Sequence, residues 1–286
     1  MIKIKQIGNG GAFDYKSVNS SFLIDTGNDS YFLFDCGHSV FAELRRQHDA
    51  GEIDLKKLKY VYISHNDDDH NGSLKTLIYF MYFNFGKRLQ IIAVHDFEKD
   101  NDVYSRIVNF TDDIDGFYEN DQKIEDDIYN MIPIDKKEVF RVDGFSITPL
   151  NTFHLKPCYG LIFDCYVEAG EASQKFVISG DTKAHPSIAL ALASGQIQFA
   201  YHDFSNWNKP SSQVHCCESD FEKIYNEDIR SKIIKYHNNA EFVPEWRTFD
   251  EVKIHKNIQE RAKEYIDKRD AGKKEVNGPK DEGPKK

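Results

Sequence analysis

Short apolar runs separated by polar turns dominate the first third of the chain. Residues 2–7, 21–24 and 31–34 have strand length, and the last two flank Thr26-Gly27-Asn28-Asp29, a cluster that predicts a hairpin turn. Residues 41–47 predict a helix. Residues 60–63 form a compact apolar run suited to a buried strand. That run stops at His65-Asn66-Asp67-Asp68-Asp69-His70, after which Leu74, Leu77, Ile78, Met81 and Tyr82 recur at helical spacing. Further strands are predicted at 90–94, 139–140, 146–149, 159–166, 176–178, 199–202 and 233–236, and helices at 186–193 and 220–229.

The stretch 96–137 is acidic and punctuated by Asn and Gly. It predicts two or so short helices over the domain surface, as a lid or specificity insert. Residues 271–286 are rich in Gly, Pro and Lys with almost no apolar side chains, so they predict a disordered tail. The organisation expected is one domain over 1–269 followed by a tail over 270–286. Strands that end in polar loops, with helices between them, predict an α/β fold whose reactive residues sit at strand ends.

With 286 residues, 40% of them hydrophobic, the chain can bury a sizeable core. A formal net charge of −10 argues against broad nucleic-acid binding, which needs a basic surface. A small phosphate-bearing substrate stays open, because bound metal ions supply positive field locally. The five cysteines, Cys36, Cys158, Cys165, Cys216 and Cys217, have no C-x-x-C spacing and read as reduced core thiols. There is no apolar signal-like opening and no run approaching the roughly 20 apolar residues of a membrane span, so a cytoplasmic location is expected.

The cluster from His65 to His70 carries the strongest chemical signal. Metal-competent side chains crowd into six residues between a buried strand and a helix. His65 and Asp67, two apart on extended chain, point to the same side, whereas Asp69 and His70 fall where the helix begins and can face a second point nearby. A solvated polar loop could share this composition. Three further patterns count against that: His154 after Asn151-Thr152-Phe153, Asp181 in Ser179-Gly180-Asp181-Thr182, and His237 after Ile233-Ile234-Lys235-Tyr236 each place a metal-competent residue just past a strand.

This order, H-x-D-x-D-H and then His, Asp and His, resembles the metallo-β-lactamase superfamily, and within it the tRNase Z-like phosphodiesterases. Gly8-Asn9-Gly10-Gly11-Ala12-Phe13, Asn19 to Ile24, Phe34-Asp35-Cys36-Gly37, Tyr159-Gly160 and His202-Asp203 extend the resemblance from about Lys5 to Asn239. It implies an αβ/βα sandwich of two mixed sheets flanked by helices, holding two divalent ions, with zinc as the default and manganese or iron as alternatives. It further implies one ion on His65, Asp67 and His154, the other on Asp69, His70 and His237, and Asp181 between them. Asp67 departs from the histidine of most members; competence-type DNA-uptake nucleases and phosphorylcholine esterases resemble this chain there. A third carboxylate makes the cluster formally neutral once it holds a hydroxide, which implies a less acidic bound water and a greater tolerance for harder ions such as manganese or iron.

The activity implied is hydrolysis of a phosphodiester, a cyclic nucleotide or short RNA end, by a metal-activated water. Phage-encoded cyclic-nucleotide phosphodiesterases that defeat bacterial immune signalling belong to this branch. Asp69 would orient the nucleophile or take its proton, and His215, held by Asp203 or His202, would protonate the leaving oxygen. His215 can equally be an ordinary surface histidine, and His202 reads rather as a satisfied strand-end histidine. His38, His95 and His185 lie near motifs without a pattern-based role. The acidic balance favours a small substrate over folded RNA. Competing readings are an RNA-processing endoribonuclease, a thioester, lactone or β-lactam hydrolase, an iron redox centre and a non-catalytic binding module. Relatives often dimerise, so a homodimer is a further expectation.

Overall fold

The computed structural model describes residues 1–254, apart from 99–100, 115–116, 120–121, 126–127, 167–172, 207–213, 241 and 243. The chain opens as an antiparallel meander of β1 (Lys3–Gly8), β2 (Ser21–Asp25) and β3 (Tyr31–Phe34). Helix α1 (Val40–Asp49) then crosses to β4 (Leu58–Tyr62), parallel to β3. The short α2 (Asp68–Asn71) and the longer α3 (Leu74–Phe85) lead to β5 (Leu89–His95), parallel to β4. Leu77, Ile78 and Met81 are buried along one face of α3, as their spacing requires.

Beyond β5 the described residues hold helix α4 (Val103–Thr111), which runs directly into a 3-10 turn at Asp112–Ile114, so the two or so short helices expected share the stretch with strands. These are a hairpin of β6 (Phe117–Glu119) and β7 (Gln122–Glu125), and then β8 (Tyr129–Asp135), which extends the first sheet in parallel with β5. β8 is the edge of that sheet. Pro133 within it weakens any strand signal in the sequence, yet an edge strand tolerates a proline because one side of its ladder is unpaired.

The second sheet begins with β9 (Phe140–Val142), β10 (Phe145–Asn151), β11 (Tyr159–Cys165) and β12 (Gln174–Ile178), all antiparallel neighbours. Helix α5 (Pro186–Ala193) carries the chain to β13 (Phe199–Asp203), and α6 (Glu218–Ile224) and α7 (Glu227–Arg230) carry it to β14 (Ile233–Tyr236); both strands add in parallel. The single helix expected over 220–229 is interrupted at Tyr225 and Asn226, because the Asn226 side chain accepts from Ile229 N at 2.9 Å and starts a new helix. β15 (Arg247–Thr248) returns to the free side of β1, and α8 (Phe249–Ile254) follows.

Seven strands in one mixed sheet and six in the other, with helices outside both, make the αβ/βα sandwich expected. Aromatic side chains fill the space between the sheets. Phe22 of β2 lies 4.6 Å from Tyr201 of β13 and 5.2 Å from Tyr236 of β14, ring centre to ring centre, while Phe163 and Phe176 stack at 4.5 Å. A second apolar cluster, including Ile188, Leu192, Phe221 and Tyr225, seals α5 and α6 onto the outer face of the second sheet. All five cysteines are buried and free. Among the described residues no helix is long and apolar enough to cross a membrane. The tail expected over 270–286, and the domain end at 269, lie outside the described residues.

Phe22 is wholly buried where the two sheets meet beneath the polar strand ends. Phe22→Ala is expected to destabilise the fold by about 3–5 kcal/mol, read as a lower denaturant midpoint with an unchanged slope.

Candidate metal centre

The strands β4, β10, β12, β13 and β14 all end at one rim of the sandwich, and each hands a polar side chain to it. His65 lies three residues past β4, His154 three past β10, Asp181 three past β12, and His237 directly follows β14, while Asp203 is the last residue of β13. The short helix α2, with Asp67 at its N-cap, adds Asp67, Asp69 and His70. The rim is therefore a product of strand direction: parallel crossovers deliver consecutive strand ends to the same edge.

Three groups of possible ligands each bring their ligand atoms within 4.8 Å of one another: His65, His154 and Asp181; Asp69, His70 and His237; and Asp181, Asp203, His215 and His237. Asp181 joins them. Its Oδ1 is 3.3 Å from His70 Nε2 and 3.9 Å from His237 Nε2, and its Oδ2 is 3.9 Å from His65 Nε2. Asp69 Oδ2 lies 3.2 Å from His237 Nε2 and 3.4 Å from His70 Nε2. Asp67 sits at the edge of the first group, with Oδ2 3.5 Å from His65 Nε2 and Oδ1 paired with the Lys156 ammonium.

Buried partners fix how these rings face. Asp35 accepts from His70 Nδ1 at 2.8 Å, from Ser64 N at 2.7 Å and from the Ser64 hydroxyl at 2.8 Å. Nε2 of His70 is thereby turned to the centre of the site. His65 Nδ1 is 3.0 Å from the Ser64 hydroxyl, which turns its Nε2 the same way. Asn9 accepts from His237 N at 2.8 Å and holds that residue at a left-handed φ of 63°, an uncommon conformation for a side chain that is not glycine. Gly37 admits the close approach of the β4–α2 turn, because a Cβ there would lie 2.0 Å from the Asp69 carbonyl oxygen.

His65 Nε2, His70 Nε2 and Asp181 Oδ1 are buried and have no hydrogen-bond partner. Orphaned polar atoms of this kind are costly unless something else meets them. The electrostatics point the same way. Burial opposes charge on His70 and His237, yet Asp181, with Asp69 and further carboxylates, outweighs it and holds both well above the ordinary histidine range. Burial would likewise raise Asp181 and Asp69, but the facing imidazoles hold both carboxyls well down. The carboxylates thus demand positive charge at the centre, and without another source they draw protons onto the rings. Divalent cations would displace those protons and take the inward-facing lone pairs, so the donor set fits them.

His215 lines the same cavity, and its Nδ1 is 2.8 Å from Asp203 Oδ2 and 3.7 Å from Asp181 Oδ2. Asp203 also accepts from Thr182 N at 2.8 Å and lies 3.3 Å from His237 Nδ1, so one buried carboxylate steadies two of the rings. His202 is the satisfied strand-end histidine expected: its Nδ1 meets the Asp203 carbonyl and its Nε2 the Tyr225 hydroxyl, both at 2.7 Å, and burial pushes it down to about 4. His95 pairs with Asp102, and His185 bonds the Asn151 carbonyl, so both are used elsewhere. Sequence reasoning missed Asp35, Asn9 and Lys156 as members of the site. The first two fall inside motifs quoted for the family resemblance, whereas nothing marks Lys156.

The cluster opens into a cavity of about 710 Å³ whose mouth carries Phe13 and Leu155, a size that suits a small ligand. The structure is similar to the metallo-β-lactamase fold protein YhfI from Bacillus subtilis, with a TM-score of 0.61 and 20% identity, over 90% of this chain and 92% of that one. In sequence the chain is 37% identical over 86 residues to the Anti-Pycsar protein Apyc1 of Bacillus phage BSP38, a stretch covering 30% of this chain and 32% of that protein. It is 26% identical over 192 residues to the mitochondrial Ribonuclease Z of Drosophila melanogaster, covering 63% of this chain and 23% of that protein. These alignments thus span about a quarter to a third of the curated relatives' own length. The profile of one family, Anti-Pycsar protein Apyc1, matches residues 2–260, and the chain belongs to that family.

Proposed function

We propose that this chain is a metal-dependent phosphodiesterase acting on a small substrate, with a cyclic nucleotide as the leading candidate. One observation carries the reading: the His65 and His70 groups of inward-facing ligands both lie against Asp181 and open, beside His215, into a cavity of small-molecule size. His65, Asp67, His154 and Asp181 would hold one divalent ion, and Asp69, His70, His237 and Asp181 the other. Zinc is the default and manganese or iron the alternatives. When bound, such ions supply a nucleophile from water at neutral pH and neutralise charge on phosphoryl oxygens.

The chain's own residues supply the rest. Asp69, whose Oδ2 faces the second group, is the carboxylate placed to take a proton during attack. Asp203 holds His215 by Nδ1, so that ring is oriented to hand a proton to a leaving oxygen. Phe13 and Leu155 give the mouth an apolar rim, suited to the face of a base. Kinship with Ribonuclease Z supports RNA as a second substrate class, and the formal net charge of −10 counts against folded RNA.

The test is hydrolysis of bis(p-nitrophenyl) phosphate and a panel of cyclic nucleotides by the purified protein, with zinc or manganese and then with chelator. Turnover that chelator abolishes and metal restores supports the reading. Metal-loaded protein that leaves every phosphodiester intact yet opens thioesters or lactones would replace it. Asp35 gives a subtler check. Asp35→Asn removes the anionic partner of His70 and is expected to weaken metal affinity by about 10–100-fold, measured by competition with a chelating dye.

A further inference from the structure

The cavity is acidic on its lining. Asp14, Asp67, Asp69 and Asp181 face it, and among its described lining residues Lys156 is the only lysine or arginine. Lys156 stands two residues past His154. Its backbone N–H donates to His154 Nδ1 at 3.3 Å, which leaves the other ring nitrogen to the cluster. Its side chain is 48% exposed, and its ammonium pairs with Asp67 Oδ1. Asp67 turns its other oxygen, Oδ2, to His65 Nε2 at 3.5 Å, so one carboxylate stands between the ammonium and the metal group, and charge that a bound ion draws from it weakens its hold on the lysine.

We propose that Lys156 is a substrate-binding cation: its ammonium holds a non-bridging phosphate oxygen once Asp67 is engaged by the metal group. The proposal rests on the phosphodiesterase reading. A phosphate anion entering a cavity lined by four carboxylates meets repulsion from every acidic group that bound ions do not neutralise. A lysine ammonium is a mobile point charge on a flexible stem, able to leave one anion for another without moving the backbone. The neighbouring rim reinforces the assignment. Leu155, next to Lys156 in the chain, and Phe13 are 72% and 96% exposed and line the same cavity. A ligand with an anionic group and an apolar face would meet both.

The experiment measures binding of inorganic phosphate and adenosine 5′-monophosphate to the metal-loaded full chain by calorimetry. Wild type is compared with Lys156→Met and Lys156→Arg, and metal retention is followed by chelator competition. Lys156→Met is expected to weaken both anions by about tenfold, the scale of one charge-assisted bond. KM should rise with them while kcat stays nearly constant, metal should be held at least as tightly as in wild type, and Lys156→Arg should restore most of the affinity. Unchanged anion binding in Lys156→Met overturns the proposal. So does a loss of metal affinity in parallel with the anions, which would make Lys156 a prop for Asp67. Wild-type protein that hydrolyses no phosphodiester removes the underlying reading instead, so the two failures are distinguishable.

Discussion

Asp181→Asn protein is expected to lose phosphodiester hydrolysis by a factor of at least about 10³, the scale of several kcal/mol of lost charge stabilisation. Asp181 is the residue through which the ligand groups touch. One of its carboxylate oxygens faces His70 and His237, and the other faces His65 and His215. Gly180, at a φ of 62°, turns the chain just before it and aims the side chain across the rim. Asparagine keeps the volume and removes the charge, so the strand end stays folded while the two groups lose their shared anion. Metal content measured after gel filtration should fall with the rate, and the far-ultraviolet spectrum should stay unchanged. A variant that keeps both its metal and its turnover would separate Asp181 from the chemistry. It would leave the His65 and His70 groups as independent structural clusters.

The parts of this centre that were legible in the sequence are those whose position depends on the chain nearby. His65, His154, Asp181 and His237 each follow an apolar run, and a strand end is a local feature, so a reader of the sequence can place them at one edge once an α/β order is recognised. What holds them is not local. Asp35 reaches His70 only because the end of β3 lies beside the turn after β4. Asn9, just past β1, meets His237, just past β14, although 228 positions separate them in the sequence. Lys156 is one cation in a chain of 37 lysines and arginines, and only the cavity singles it out. The fold was legible for the same reason and failed at the same kind of place. β8 is set by pairing with β5, a contact 40 residues away in register from His95 to Asp135, while its own proline argues against a strand.

His215→Ala should cost about 10²–10⁴ in rate on substrates with a poor leaving group, the usual worth of a positioned general acid. The effect should depend on what departs. A cyclic nucleotide releases an alkoxide, which needs a proton as the bond breaks. Bis(p-nitrophenyl) phosphate releases a phenolate that is stable without one. His215 is held through Nδ1 by Asp203, so transfer falls to its other ring nitrogen, and the buried carboxylate keeps the ring oriented throughout. The expected result is a large loss on the cyclic nucleotide and a change of less than about tenfold on the activated ester. Equal losses on both would place His215 in metal or substrate binding, alongside its 3.7 Å contact with Asp181. No loss on either would remove the proton-donor role and leave the leaving oxygen to take its proton from water. Asp203→Asn adds a control, because it removes the charge that orients His215 while leaving the imidazole in place. A loss smaller than that of His215→Ala, on the same substrate and in the same direction, is what an orienting carboxylate produces.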